Sequence, residues 1–381
     1  MKPPIAIIGA SDLQLPLIEK AKDMGYETHV FAWAAGDVGE AAADHFYPIS
    51  ITEIGEITEQ CRQIRPAAVV TIASDLAAIT VNKVANALGL PANPPETAVI
   101  ATNKYEMRRT FVNAGIPTPR FLRVQADGDL KEALRMRLPV IVKPTDRSGS
   151  RGIYKLTSFD GLWESVEKSC AESFERCAII EEFIEGEEYS CECISQEGTH
   201  HCLAITKKFT TGAPHFIETG HMEPSGLDEQ TCRRVREQVF KALDALHVQC
   251  GASHSEFKVD PENGDIRLIE IGARMGGDCI GSDLVHLSTG YDFVKMVIQA
   301  AAGEKITLDR KEHADAAAVR YVMNKKDYED FLALKQNEPE AIYRMSDIRY
   351  EEKEVTDSSR RFGFYIATDS NQETLRKRLH L

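Results

Sequence analysis

Apolar positions change period along this chain, and the changes predict its elements. Residues 5–8 form a short unbroken apolar run, the pattern of a strand buried on both faces. Across 13–24 the apolar positions take helical spacing, and Gly25 stands where a helix C-cap belongs. The strand pattern returns at 28–32 and 67–72. Helical patterns occupy 54–64 and 76–88, the second closed by Gly89. Strands alternating with helices predict a parallel, doubly wound, Rossmann-like sheet over residues 1–103. The loop after the first strand, Gly9-Ala10-Ser11, lacks G-x-G-x-x-G, so the dinucleotide fingerprint is absent.

The proline-rich run PANPP at 91–95 marks a boundary. Beyond it the pattern predicts a helix over 105–113, an extended stretch over 117–121, a strand over 139–142, a helix over 159–169 and a strand over 178–182. Residues 188–206 alternate as paired strands do, 233–246 read as a helix, and 254–271 as a hairpin. A single helix is expected over 283–302, ended by Gly303. The tail holds two strand patterns, 316–323 and 362–368. There is no internal repeat and no low-complexity segment.

Charge narrows the choice of partner. The 59 acidic and 45 basic residues leave a net charge of −14, and no basic block stands out. Nucleic acid is therefore not expected as a partner. The nine cysteines are scattered without a C-x-x-C. Cys191 and Cys193, two apart, point the same way on a strand. Such usage predicts reduced thiols and a cytoplasmic protein. The opening MKPPIAIIGAS lacks the layout of a leader peptide, and no apolar run is long enough to span a bilayer, so no membrane association is expected.

Five segments carry residues suited to chemistry. In the 254–271 hairpin, Glu256 and Glu270 lie on strands joined by Pro261-Glu262-Asn263-Gly264-Asp265, with Arg274, Gly276 and Gly277 following. A two-residue loop would turn the two carboxylates to opposite faces. A three-residue loop, with Gly264 in the left-handed position, places Glu256 opposite Glu270 and Phe257 opposite Ile269. Like charges so placed repel unless a cation lies between them, and magnesium takes one or two carboxylates. Next, the strand ending in Lys143 runs into a small-residue loop with Ser148, Gly149, Ser150 and Gly152, whose backbone N–H groups suit phosphate. It is not a Walker A motif. Third, Glu181, Ile184 and Glu188 have the spacing of a purine- and ribose-reading strand. Fourth, Lys104 at a helix start would face phosphate. Last, Glu218 and His221, in a loop-like stretch beside Gly220, suit holding and deprotonating an amine. Taken singly, each segment also fits an ordinary solvated surface.

Taken in order, Lys104, Lys143, the glycine loop, EEFIEGEE, Glu256, Glu270 and Arg274 resemble the ATP-grasp superfamily over roughly residues 1 to 303. Within it, the ETGH and EIGARMGG stretches look like bacterial L-amino-acid ligases and carbamoyl-phosphate-synthase-like ATP-grasp proteins. The resemblance implies a Rossmann-like domain over 1–103, a small ATP-grasp subdomain over 104–185, a large one with the metal site over 186–310, and a C-terminal lid or substrate subdomain over 311–381. It implies ATP and Mg2+ as cofactors, with Mn2+ as a substitute. Lys104 and Lys143 would contact ATP phosphates, with the loop 146–152 closing over the γ-phosphate. The run Glu181, Glu182, Phe183, Ile184 and Glu188 would hold adenine and ribose. Glu256 and Glu270 would ligate the metal. Glu218 and His221 would lie by the substrate amine, and Arg274, with Gly276 and Gly277, by the acyl-phosphate or carboxylate. The implied reaction joins a carboxylate to an amine through an acyl-phosphate, releasing ADP and phosphate. A carboxylase or nucleotide-biosynthesis ligase, and a non-catalytic nucleotide-binding regulator, are the alternatives. A homodimer is a family-level expectation. One departure stands out: Gly272 occupies the place where many members carry a metal-binding Asn.

Overall fold

The computed structural model describes residues 2–149, 151–213, 216–313 and 315–381. Its strands form three sheets. The first contains β1 (Pro4–Ile8), β2 (Glu27–Phe31), β3 (His45–Tyr47) and β4 (Ala68–Val70), all parallel, in the order β3-β2-β1-β4. Helices cover both faces, which is why β1 is apolar throughout, and Ile5, Ile7 and Ile8 are fully buried. The helix Asp75–Leu88 begins where the Ser74 hydroxyl accepts from the Ala77 N–H, and it ends at Gly89 with φ +68°. That cap brings Asp75 to the C-terminal edge of the parallel sheet.

The second sheet contains β5 (Phe121–Gln125), β6 (Val140–Pro144), β7 (Tyr154–Leu156) and β8 (Cys177–Glu182), in the order β5-β8-β6-β7. It packs on the helix Leu162–Glu172 through Val140, Val142, Val166 and Ile180. The third contains β9 (Glu187–Gln196), β10 (Thr199–Thr210), β11 (Glu218–Glu223), β12 (Cys250–Val259), β13 (Ile266–Gly272), β14 (Ala316–Tyr321), β15 (Ile342–Met345) and β16 (Phe364–Asp369). All pair antiparallel, in the order β13-β12-β9-β10-β11-β14-β16-β15.

Three expectations change. The stretch 218–223 is a strand inside the large sheet rather than a loop, paired with β10 and β14. The single helix expected over 283–302 is two, Val285–Thr289 and Phe293–Ala301, parted at Gly290. Gly290 has φ +78°, and a Cβ there would lie 2.3 Å from the Lys311 carbonyl oxygen, so the chain turns where a helix cannot continue. Residues 311–381 supply β14, β15 and β16 to the large sheet instead of standing apart as a separate subdomain. Their apolar residues, among them Ala316, Ala318, Phe331 and Tyr365, share a core with Met222 of β11.

Candidate functional site

The metal-type hairpin shows how local geometry aims side chains. In β12–β13, Ser255 pairs with Ile271 and Glu256 with Glu270, but Phe257 pairs with Leu268. Ile269 is left over as a β-bulge. The loop explains it. Asp260 N–H donates to Asp265 O at 2.9 Å and Gly264 N–H to Asp260 O at 2.8 Å, so residues 261–264 make a four-residue turn. Gly264 holds the left-handed conformation, φ +69°. An even loop by itself would turn Glu256 and Glu270 to opposite faces; the bulge shifts the register by one and brings them together. The expected pairing of the glutamates is present, while the three-residue loop and the Phe257–Ile269 pair are corrected.

A second bulge does the same on β11. Lys208 pairs with His221 and Phe209 with Gly220, then Thr210 pairs with Glu218, skipping Thr219. Glu218 thereby comes to the Lys208 side of the sheet, with Lys208 Nζ 4.0 Å from Glu218 Oε1.

These residues meet in one cleft between the second and third sheets. Lys104, Lys143, Ser148, Gly149, Glu181, Glu182, Phe183, Ile184, Glu188, Glu218, Glu256, Glu270 and Arg274 all line it. Ser150 lies outside the described residues, as do Pro214 and His215 ahead of β11.

The cleft's charges are matched in advance. Lys143 Nζ lies 2.6 Å from Glu181 Oε2, while Arg108 binds the other oxygen. Burial alone would raise the Glu181 carboxyl, but Arg108 and Lys143 bring it down to about 2. Burial also lowers the Lys143 ammonium, an effect Glu181 partly offsets. Both Glu181 oxygens are thus engaged by cations. Glu182 accepts from the Arg137 N–H at 3.0 Å. The Phe183 N–H donates to Pro139 O at 2.9 Å, and among the described residues the Ile184 N–H has no intramolecular partner. The Phe183 ring faces Phe216 at 6.2 Å, with the Lys155 and Lys258 ammonium groups over it.

At the paired glutamates, Lys104 reaches Glu270 Oε1 at 3.2 Å and the Arg147 carbonyl at 2.6 Å. Lys208 is buried against Glu256, with Glu188 Oε1 at 3.4 Å. Burial opposes its charge, but Glu256, Glu188 and Glu218 raise its pKa above the usual lysine range. His254 Nε2 is 3.3 Å from Glu256 Oε1, and its Nδ1 is 2.7 Å from Glu192 Oε1. Burial would lower this imidazole, yet Glu192 and Glu256 raise it to about 9.

Gly272 sits two residues along β13 from Glu270. A Cβ added there would lie 3.0 Å from Asp75 Oδ1 and 3.2 Å from Arg274 Cζ. The space of the absent Asn side chain is therefore filled by an ion pair. Arg274 Nε and Nη2 donate to the two oxygens of Asp75 at 2.8 and 3.0 Å. The donor set fits a divalent cation at Glu256 and Glu270, two carboxylates opposed on neighbouring strands.

The remaining predicted residues lie further out. A Cβ at Gly276 would meet His254 Nδ1 at 2.8 Å and Glu192 Oε2 at 2.9 Å, so this glycine makes room for that buried pair rather than for a ligand. Gly277 packs on Ala73 of the first domain. Gly152 is held on the helix Leu162–Glu172, where Ser169 Oγ donates to its carbonyl at 2.7 Å. His221 is 1% exposed, and among the described residues both ring nitrogens lack a hydrogen-bond partner. Its nearest carboxylate is Asp278, Oδ2 at 3.6 Å from Nε2. Arg361 grips Asp278 with two bonds of 2.9 and 2.8 Å, and Ser358 Oγ donates to Glu218 at 2.9 Å.

Asp75, Arg108, Lys208, His254, Asp278 and Arg361 were not singled out from the sequence. Lys208 had a weak signal, a lysine within the alternating stretch AITKKFTT. The others are set by pairings across 62 to 199 residues, which no local pattern encodes.

Comparison with known proteins agrees with this geometry. The ATP-grasp domain family matches residues 136–283, so this part of the chain is an ATP-grasp domain. Alanine–anticapsin ligase of Bacillus subtilis (strain 168) is 30% identical over 248 residues, covering 58% of this chain and 52% of the relative. The chain thus spans about half the length of that relative. D-alanine–D-alanine ligase of Cupriavidus necator is 26% identical over 227 residues, covering 57% of this chain and 68% of the relative. The crystal structure of an L-amino acid ligase from Bacillus licheniformis superposes with a TM-score of 0.83 at 22% identity, covering 100% of this chain and 96% of that one. This likeness shows that the two chains share one fold along their length. No helix among the described residues is long and apolar enough to cross a membrane.

Proposed function

We propose that this ATP-grasp chain is an ADP-forming carboxylate–amine ligase with an amino acid among its substrates. One observation carries the reading: Lys104, Lys143, Glu256, Glu270 and Arg274, from four separate segments, line a single cleft. The names of the relatives, ligases acting on alanine or L-amino acids, support the substrate class.

In this reading Lys104 and Lys143 neutralise phosphate charge on ATP. Each is held in place by a carboxylate, so little reorganisation accompanies transfer. The Ile184 N–H meets a ring nitrogen of adenine, and the ring of Phe183 supplies a stacking wall. Glu188 takes the ribose. Glu256 and Glu270 hold Mg2+, which when bound neutralises the transferring phosphoryl group; Mn2+ has the same preference for oxygen ligands. Arg274, fixed by Asp75, steadies the carboxylate substrate as it attacks the γ-phosphate: ADP leaves, an acyl-phosphate forms, and the amine then displaces phosphate from the acyl carbon. Glu218 faces the incoming amine. His221 lies behind the cleft wall, so it acts through Asp278 and not as the base that touches the amine. The loop 146–152 covers the phosphates and keeps water from the acyl-phosphate.

The test is ADP release from amino acids and small acids, offered singly and in pairs. The reading expects turnover only when an acid and an amine are present together. ADP formation that requires bicarbonate instead would make the chain a carboxylase. ATP binding with no ADP formation across the screen would make it a nucleotide-binding regulator.

A further inference from the structure

Strand β9 carries the nucleotide cleft on one side and a different cluster on the other. Cys191 and Cys193 project from that second side, and Cys202 of β10 pairs directly with Cys193. The sulfurs of Cys191 and Cys193 are 3.6 Å apart, those of Cys191 and Cys202 3.5 Å, and all three lie within 4.8 Å of one another. None is in a disulfide. Cys191 and Cys193 are fully buried and Cys202 is partly open.

The neighbours are the second observation. On β12, Ser253 pairs with Cys193 and Ser255 with Cys191, so both hydroxyls share the face of the thiols. Both serines are 0% exposed, and neither Oγ has a hydrogen-bond partner among the described residues. A buried hydroxyl left unpaired is costly, whereas a thiolate sulfur would accept its proton donor. The helix Glu229–Ala245 closes this face, and the positive charge of Arg236 acts on Cys202.

We propose that Cys191, Cys193 and Cys202 form a binding site for a thiophilic d10 metal ion of the Zn2+ or Cu+ class, with Ser253 and Ser255 donating to the metal-bound sulfurs. Metal–sulfur bonds of about 2.3 Å require sulfurs roughly 3.8–4.0 Å apart in tetrahedral or trigonal geometry, and the cluster falls within reach of that spacing without moving a strand. Each Sγ releases its proton to water as its bond to the ion forms, and three thiolates with one Zn2+ leave one negative charge beside Arg236. The site is separate from the ATP cleft and does not depend on the ligase reading.

The test uses the full chain, reduced and stripped with chelator, in excess Mg2+ to saturate carboxylate sites. Titration with Cd2+ should raise a thiolate-to-metal ultraviolet band that saturates at one equivalent. Cys191→Ser and Cys202→Ser should lose the band, while Cys61→Ser, in a different core, should keep it. Thermal melts and ATP binding would report on folding of each variant. Should Cys202→Ser not fold, X-ray absorption of the Cd2+-loaded wild type decides: three sulfur neighbours per ion support the site, and an oxygen-only shell overturns it. Absence of a band in the wild type, or its survival in folded Cys202→Ser, also overturns the proposal.

Discussion

The lysine-lined part of the cleft, where we propose that ATP binds, and the neighbouring strand β11 treat charge in opposite ways. Around Lys104, Lys143 and Lys208, every inward carboxylate meets a cation: Glu270 with Lys104, Glu181 with Lys143 and Arg108, and Glu256 with Lys208. On the acceptor strand β11 the pattern loosens. Among the described residues, His221 has two unpartnered nitrogens, and Glu223, fully buried, meets the hydroxyls of Thr206 and Ser288 at 2.8 and 2.6 Å. An end that binds a polyanion needs cations held rigidly before the ligand arrives, and counter-ions do that. On β11, Glu218 keeps only a longer contact with Lys208, at 4.0 Å, and accepts from Ser358 Oγ.

The largest expected effect lies at the nucleotide end. Glu270→Ala removes a metal-type carboxylate and leaves Lys104 without its partner. We expect kcat/KM for ADP formation to fall by about 100- to 1000-fold, measured across a Mg2+ series. Full activity at saturating Mg2+ would break the assignment of Glu270.

A smaller and more selective effect is expected at the acceptor end. Arg361→Gln frees Asp278 beside His221 while leaving the lysine network intact. The KM for the amine should rise by roughly 10- to 100-fold, with the KM for ATP unchanged. A parallel rise in both constants would erase the distinction between the two ends.

The third effect is on stability and is spread over a pH window. Burial pushes the Glu223 carboxyl up to about 8, against a usual value of 4.5, with Ser288 and Thr206 pulling the other way. The native state then binds more protons than the unfolded state between these values, so stability falls as pH rises from about 5 to 8. Glu223→Gln removes that loss. Its advantage over the wild type should grow by about 1 kcal/mol per pH unit across the window, read from denaturant melts. Equal pH profiles would show that Glu223 is compensated after all, as its counterparts at the nucleotide end are.

The same contrast governs what could be read in advance. Lys104, Lys143, Glu188, Glu256 and Glu270 stand at recognisable places in strand and helix patterns, and the order of their segments carried the family resemblance. β11 was missed because Gly220 and the neighbouring Glu, Thr and His mimic a loop. Its strand character comes from pairing on both sides with β10 and β14, the second arriving about 100 residues later.

The hairpin shows where the division falls. From sequence alone came two glutamates at a spacing that lets them meet, and a glycine able to turn the chain between them. Whether they meet depends on one unpaired residue, Ile269, because side chains on a strand alternate with period two and a single bulge reverses every facing beyond it. Gly272 follows the same rule. Read locally, it is a missing ligand; in the folded molecule its empty space holds Asp75, brought from the first domain and gripped by Arg274. Periodicity and spacing specify elements, because those depend on neighbours along the chain. Register, counter-ions and the filling of a gap depend on neighbours in space, which tertiary packing alone selects.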